Sequence, residues 1–283
     1  MNGITAQANT GNFVTVAAAS KRRHRRWNLG VVFNDRVMMI ASPIGLLVIW
    51  ELVGRAGFLD QRYFPLPSTI FLALKTLAIS GELWMNTKAS LLRLLFGFLV
   101  GGIPALVIGI AMGISKPVRL IIDPLIAATY PVPKSAILPL LLLIFGLGEG
   151  SKIAMVAIGV FYPMVINATS GVLTINKTYF EVGKHFKASR WQVFRTIALP
   201  GALPLIIAGT KLGVGFGLIL IAIAEMVGAK EGLGFMIWNA WELLAVDVMY
   251  AGILTIAVIG FVLSLLFNEV EWLLVPWNRD KDR

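Results

Sequence analysis

The chain has 283 residues and a formal net charge of +10, with 57% hydrophobic and only 14% charged residues. Soluble domains are about 45–50% apolar and about 25% charged. So few charged residues cannot cover a water-exposed surface of this size, which excludes an ordinary soluble enzyme and a disordered chain and predicts lipid around most of the molecule. The absence of cysteine excludes disulfides, cysteine nucleophiles and Cys-built metal sites.

A polar and then strongly basic tail, residues 1–35, opens the chain. It contains no apolar stretch followed by a cleavage site, so no signal peptide is predicted, and the tail is expected to be disordered. A membrane domain over residues 36–275 and a short tail, residues 276–283, complete the predicted organisation.

Six apolar stretches follow the tail, and each is predicted to cross the membrane as a helix, because about 20 apolar residues span the hydrocarbon core. They are continuously apolar, whereas strands of membrane barrels alternate. The third stretch is broken by prolines and is predicted as a short helix, a kink and a span from Ser135 to Leu147. In chain order the stretches are 37–53, 94–115, 120–147, 153–176, 196–227 and 248–268.

Lys and Arg are distributed unevenly between the two sides that six spans define. Of the 25 such residues, most lie in the two tails and in the loops on the same side as the tails. The positive-inside rule places that side, with both termini, in the cytoplasm. Contact with anionic lipid accounts for the net charge, so no nucleic-acid partner is predicted.

Residues 177–198, KTYFEVGKHFKASRWQVFRTIA, form the longest polar connection on the predicted cytoplasmic side. Thr178 and Glu181 have the spacing of a capping box, and so do Ser189 and Gln192. The two signals predict two short helices in succession within this connection.

The predicted helices cover 179–186 and 190–198, with a turn at Lys187–Ala188. Tyr179, Phe180 and Phe186 would give the first helix an apolar face at the membrane surface. From the pattern alone, a helix resting on lipid headgroups and a docking element for a cytoplasmic partner are equally good interpretations.

The same segment resembles the EAA loop of ABC-importer permeases, whose pattern is Glu-Ala-Ala, three residues, Gly, nine residues and Ile-x-Leu-Pro. Val182 and Gly183 replace the two alanines, and Lys187 stands at the glycine position. That glycine lies in a turn where a positive φ is easiest without a Cβ, so Lys187 predicts either strain or a different turn. Four positions match in register: Glu181, Ile197, Leu199 and Pro200.

Three other stretches are similar to permeases of the nitrate/sulfonate/taurine type. Residues 130–152 resemble their kinked third span and the following loop, and residues 222–238 resemble the end of their fifth span and a Gly-rich loop. Residues 65–69, PLPST, resemble the segment before their second span. The resemblance covers about residues 40–277.

The resemblance implies an all-α membrane protein with the six-helix fold of type I ABC-importer permeases and a cytoplasmic coupling helix. Its partners would be a second permease copy, cytoplasmic ATPase subunits and an external solute-binding protein, in the inner membrane of a bacterium. ATP and Mg²⁺ would bind to the ATPase, and this chain would bind no cofactor and catalyse no reaction. The ATPase-coupling residues carried over are Glu181, Val182, Gly183, Phe186, Lys187, Ala188, Ser189, Arg190, Leu199 and Pro200.

Charged groups near or inside the spans are candidates for the solute pathway, because ionisable groups at membrane depth are costly. The candidates are Tyr130, Lys134, Lys211 and Glu225. For Lys134 a pathway role and a structural role are equally supported, whereas for Glu225 a structural role is favoured. A cation in the pathway would suit an anionic solute, and nitrate, sulfonate, taurine and bicarbonate all remain open.

Two rival functions predict features of their own. A secondary transporter driven by an ion gradient would have a second half that repeats the first in inverted topology, and no clear repeat is present. An intramembrane enzyme would need a nucleophile or a metal cluster at membrane depth, and the spans contain none.

Glycines recur every fourth residue on two of the spans and form small seams, at 109 and 113 and at 209, 213 and 217. Such a seam lets helix backbones approach closely. It suits either packing within the chain or a surface that lines the pathway or the dimer interface.

Overall fold

The computed structural model describes residues 29–278, with residues 29–40 and 43 described by their backbone alone. Residues 1–28 of the predicted N-terminal tail and the last five residues lie outside this range. Every regular element of the described residues is helical, as predicted. The helices are α1 (Leu29–Arg55), α2 (Pro67–Ser80), α3 (Glu82–Ile114), α4 (Lys116–Thr129), α5 (Leu138–Phe145), α6 (Glu149–Leu173), α7 (Lys177–His185), α8 (Arg190–Val193), α9 (Leu199–Met226), α10 (Leu233–Glu242) and α11 (Val246–Leu274).

Four helical stretches among the described residues are long and apolar enough to cross a bilayer: α3, α6, α11 and the continuous stretch Arg190–Met226. A fifth crossing is formed if α4 and the bent segment Lys134–Phe145 count as one span. The angle between these two parts is 88°, which confirms the kink predicted at the prolines. The predicted count of six is not confirmed, because the first predicted span lies within α1, which is not among these helices.

Helices α3, α6 and α9 pack most extensively, with α6 between the other two. Glycines make this close approach possible. A Cβ at Gly101 would collide with the backbone of Ala157, and one at Gly109 would lie 2.7 Å from the carbonyl oxygen of Val165. On the other side of α6, a Cβ at Gly209 would lie 3.0 Å from the Pro163 oxygen. The glycine seams therefore serve packing within the chain.

From Trp50 onward, a second layer is formed by α2, α10 and α11, whose apolar side chains share one cluster. Its buried members include Ile70, Leu77, Leu233 and Ala251. Most of α11 is exposed, as expected for a helix that faces lipid.

The connections fall at two opposite ends of the α6–α9 pair. Residues 174–198 link the end of α6 to the start of α9, and we call this the coupling end. Residues 146–148 precede α6 and residues 227–232 follow α9, so both lie at the other end, which we call the loop end. The candidate coupling residues and Glu225 are thus separated by the length of the bundle.

Candidate functional site

Helix α7 opens the coupling segment, residues 177–198, with an N-cap that the sequence analysis did not predict. Asn176 caps the helix, because its Oδ1 accepts hydrogen bonds from the Thr178 amide at 3.0 Å and the Thr178 hydroxyl at 2.8 Å. The predicted capping box of Thr178 and Glu181 is wrong. Asn is a stronger N-cap than Thr, and it draws the helix start two residues toward the N-terminus.

The second capping box is confirmed. The Gln192 amide donates to the Ser189 Oγ at 3.3 Å, and the Ser189 amide donates to the Gln192 Oε1 at 2.7 Å. The predicted end of this helix at residue 198 is wrong, since α8 continues through one π-helical turn, Phe194–Ala198, directly into α9. A π turn accommodates Pro200, which has no N–H for the regular helical bond.

The turn between α7 and α8 has the conformation that usually requires glycine. Lys187 has a φ of +52°. The Ala188 amide donates to the Gly183 oxygen at 2.9 Å, and the Lys187 amide donates to the Lys184 oxygen at 3.0 Å. This pair of bonds is the Schellman motif, so the turn predicted at Lys187–Ala188 is confirmed and Lys187 adopts the strained left-handed backbone itself.

The coupling segment has an inner and an outer face. On the inner face Gly183 is buried, and a Cβ there would lie 3.1 Å from Ile197 Cδ1. Phe180, predicted to face the membrane surface, packs instead against the cluster that contains Ala198 and Ala202.

Large apolar side chains project from the outer face of the coupling segment. Tyr179 is 63% exposed, Val182 48% and Phe186 83%, and they recur at helical spacing on one side of α7. Trp191 is also exposed and stacks on Phe194 with ring centroids 5.2 Å apart. Of the remaining coupling residues, four are exposed around this surface: Glu181, Lys187, Ser189 and Arg190. The other three are half-buried: Ala188, Leu199 and Pro200.

A buried polar cluster occupies the loop end. Arg93 on α3 is 4% exposed and donates from Nη1 to Glu225 Oε1 at 2.8 Å. It also binds the carboxylate of Glu149 at both oxygens, at 2.5 Å and 2.8 Å. The single guanidinium therefore joins α3 to the start of α6 and the end of α9.

The same cluster holds the first N–H groups of α10. The amide of Gly232 donates to Asn86 Oδ1 at 2.8 Å, that of Leu233 to Ser90 Oγ at 2.8 Å, and that of Gly234 to Glu225 Oε2 at 2.9 Å. A helix leaves these donors unsatisfied, and a carboxylate at its N-terminus is favourable. Glu225 is fully buried, so this arrangement gives it a structural role.

No local pattern in the sequence singles out Arg93, Asn86 or Ser90. Arg93 borders the second apolar stretch, which is the only local signal it carries. Its partner Glu225 is 132 residues away, and no local pattern joins positions so distant.

Lys134 lies at the bend that follows α4. Its Nζ donates to the carbonyl oxygens of Thr129 at 2.9 Å and Tyr130 at 3.0 Å. The same nitrogen lies 3.9 Å from the ring centroid of Tyr162 and 5.8 Å from that of Tyr130. Tyr162 belongs to α6 and was not singled out by the sequence.

Lys211 joins α9 to α11. Its Nζ lies 2.5 Å from Glu271 Oε2 and 2.8 Å from Asn268 Oδ1. The structure thus brings Tyr130 and Lys134 together, and places Lys211 and Glu225 in two separate ion pairs.

The helical architecture agrees with comparisons to known proteins. The family described as "Binding-protein-dependent transport system inner membrane component" matches residues 105–276. The taurine transport system permease protein TauC of Escherichia coli (strain K12) is 37% identical over 267 residues, which cover 92% of this chain and 95% of that protein. The chain belongs to this permease family.

Two other relatives of the permease are similar over most of their length. The putative aliphatic sulfonates transport permease protein SsuC of Bacillus subtilis (strain 168) is 34% identical, covering 83% of this chain and 86% of its own. The nitrate import permease protein NrtB of Synechocystis sp. is 29% identical, covering 92% and 97%. These matches favour an ABC transporter permease over an ion-driven carrier or an intramembrane enzyme.

A solved structure of the MetNI methionine ABC transporter in inward-facing form shares the permease fold. The TM-score is 0.54 at 17% identity, over 68% of this chain and 94% of that one. The likeness shows that this permease shares the fold of that transporter chain, and the family match identifies it as an inner-membrane component.

Proposed function

We propose that this permease forms the import pathway for a small anionic solute of the nitrate, sulfonate, taurine or bicarbonate class. Three relatives that match most of the chain are named for taurine, aliphatic sulfonate and nitrate transport. An external solute-binding protein delivers the solute. Separate cytoplasmic subunits bind ATP and Mg²⁺ and hydrolyse the nucleotide, while this chain binds no cofactor.

The coupling segment transmits the movement of the ATPase to the spans. The observation that carries this proposal is the exposed apolar surface of α7, with Phe186 83% exposed, directly before a helix that is continuous with α9. Buried in a groove of the ATPase, Phe186 alone would contribute about 1.5–3 kcal/mol. Because α8 and α9 form one rod, displacement of the segment moves the span as a rigid body.

Two copies of the permease enclose the pathway, and both termini lie in the cytoplasm. The bias of Lys and Arg toward the side of the tails supports this orientation. It places the coupling end inside, where the ATPase is, and the loop end outside, where the binding protein is.

A charge at the tip of the coupling segment tests the proposal. We expect Phe186→Asp to reduce co-purification of the ATPase, and solute uptake with it, by at least about tenfold, because the apolar contact is lost. Glu181→Ala tests another exposed residue of the coupling segment, and this substitution should lower solute-stimulated ATP hydrolysis. Phe58→Asp is the matched control, since Phe58 is 81% exposed but lies outside the coupling segment.

Two results would contradict the coupling role. One is unchanged ATPase binding and uptake in both coupling variants. The other is an equal loss in the Phe58→Asp control, which would show that any charged substitution of an exposed phenylalanine disturbs the protein.

A further inference from the structure

The ammonium group of Lys134 lies level with the middle of α6. It sits 3.9 Å above the ring of Tyr162, and Tyr162 is close to the midpoint of α6, Glu149–Leu173. At 1.5 Å per residue, about 20 Å of helix precede Tyr162 and about 17 Å follow it. A hydrocarbon core is about 30 Å thick, so this charge is far from both surfaces.

Lys134 differs in its partners from Arg93 and Lys211. Arg93 binds Glu225 and Glu149, and Lys211 binds Glu271. Around Lys134 Nζ, the described residues provide two carbonyl oxygens and two aromatic rings, but no carboxylate oxygen within 4.0 Å. The carbonyls and the ring of Tyr162 hold the ammonium in place without neutralising its charge. Among the described residues, Lys152 likewise donates only to two carbonyl oxygens, those of Leu147 and Gly148, but it is 2% exposed and lies at the loop end.

The surface around Lys134 is open. Tyr130 is 52% exposed and Val132 43% exposed, and both prolines of the bend are exposed as well. Lys side chains that face lipid extend toward the headgroups, whereas this one is held at mid-depth by Thr129 and Tyr130. A charge fixed there is tolerated where it faces a water-filled cavity, so this face of the bend borders water rather than lipid.

We propose that Lys134, positioned by Tyr162 and the end of α4, is the midplane binding site for the anionic group of the solute. The inference rests on the proposed import function and assigns its anion selectivity to one residue. Tyr130, whose backbone oxygen fixes the ammonium and whose ring borders it, forms the exposed wall of the same site. The solute group is an oxyanion, such as a sulfonate or nitrate. The positive charge of Lys134 attracts it, and the weak contacts with the aromatic rings allow it to dissociate again.

A structural explanation makes a different prediction. Lys134 also caps the carbonyl groups that the proline bend leaves free at the end of α4. A glutamine could donate to the same oxygens with its amide but carries no charge. Lys134→Gln and Lys134→Arg therefore separate the charge from the cap.

The first experiment measures uptake of a sulfonate by the complete transporter in proteoliposomes. We expect Lys134→Gln to lower the uptake rate by about tenfold or more, because a unit charge at contact distance is removed, and Lys134→Arg to retain most of it. Assembly with the ATPase should stay within about twofold in both variants, which separates loss of the site from loss of the complex. Normal uptake in the Lys134→Gln transporter would overturn the proposal.

The second experiment measures the local potential without reference to transport. The chain has no cysteine, so Tyr130→Cys introduces a single thiol beside Lys134. We expect an anionic methanethiosulfonate to modify it faster, relative to the cationic reagent, when Lys134 is present than when Lys134→Gln is added, by about tenfold. Leu120→Cys is the control, because Leu120 is 64% exposed on α4 and about three turns away.

The two experiments separate failure of the site from failure of the proposed function. If the unsubstituted complex shows no ATP-driven uptake, the import function fails, yet the ratio of modification rates still tests the site. If the unsubstituted complex takes up the sulfonate, the import function stands. The midplane anion site is then wrong if the thiol of Tyr130→Cys is inaccessible, or if the ratio of its anionic and cationic modification rates does not depend on Lys134.

Discussion

Arg93 and Glu225 form the most deeply buried ion pair among the described residues, with side chains 4% and 0% exposed. Two charges taken from water are costly unless every donor and acceptor is satisfied. Here the carboxylate of Glu225 accepts from Arg93, Ser90 and Gly234. The pair therefore stabilises a specific arrangement, in which the start of α10 is fixed to α3 and α9.

Removal of the cation alone leaves Glu225 buried without a counter-charge. We expect Arg93→Ala to destabilise the protein by about 3–5 kcal/mol, the usual effect of breaking a buried pair from one side. The measurement is thermal unfolding of the purified protein in detergent. The exposed pair of Arg62 with Asp60 is the control, since Arg62→Ala should leave the unfolding temperature nearly unchanged. Equal shifts for both variants would contradict the assigned role.

At the scale of residues, the sequence predicts that a buried charge matters but not what it binds. Glu225 is recognised because it interrupts an apolar stretch, and a structural role is favoured for it. Lys134 is recognised for the same reason. Their partners Arg93 and Tyr162 lie on other helices, and tertiary packing alone brings them together.

At the scale of elements, the turn between α7 and α8 stores strain that a glycine would remove. A residue other than glycine in the left-handed region costs about 1–2 kcal/mol, and Lys187 has a φ of +52°. The Schellman bonds and the capping box of Ser189 hold the turn against this cost. The angle between the exposed face of α7 and the rod of α8–α9 is thereby fixed.

A lysine-to-glycine substitution should therefore have opposite effects on the stability of the coupling segment at Lys187 and at Lys184. We expect Lys187→Gly to stabilise the coupling segment by about 1 kcal/mol. Lys184→Gly, within the exposed side of α7, should weaken it by about 0.5–1 kcal/mol. Hydrogen exchange of the amides in residues 177–198 measures both effects, slower in the first variant and faster in the second. Faster exchange with Lys187→Gly would mean that the lysine side chain itself holds the turn.

Bends and helix ends that are set by neighbouring residues in the chain are predicted well from this sequence. The prolines predict the bend after α4, and Ser189 with Gln192 predicts the start of α8. The boundary between α8 and α9 is not predictable in this way, because the chain continues through the π turn Phe194–Ala198 into α9 with no cap or break at residue 198. The start of α7 is missed because Asn176 competes with Thr178 for the cap.

At the scale of the whole molecule, apolar length predicts the long helices but not the number of crossings. Helices α3, α6, α9 and α11 follow directly from continuous apolar runs. The first crossing is harder to predict from apolar length, because residues 37–53 contain the charged Glu51. This residue accepts hydrogen bonds from Ser68 and Arg55 at one end of α1. The prediction of six crossings therefore needs a topological test.

Two exposed phenylalanines provide that test. Phe58 follows α1 and is 81% exposed, and Phe186 ends α7 and is 83% exposed. In a chain without cysteine, six crossings with both termini inside predict that Phe58→Cys reacts with a membrane-impermeant reagent from outside intact cells. Phe186→Cys, expressed without the ATPase, should react only after the membrane is opened. If both thiols react on the same side, an odd number of crossings between them is excluded, and with it the six-span topology that places the coupling segment beside the ATPase.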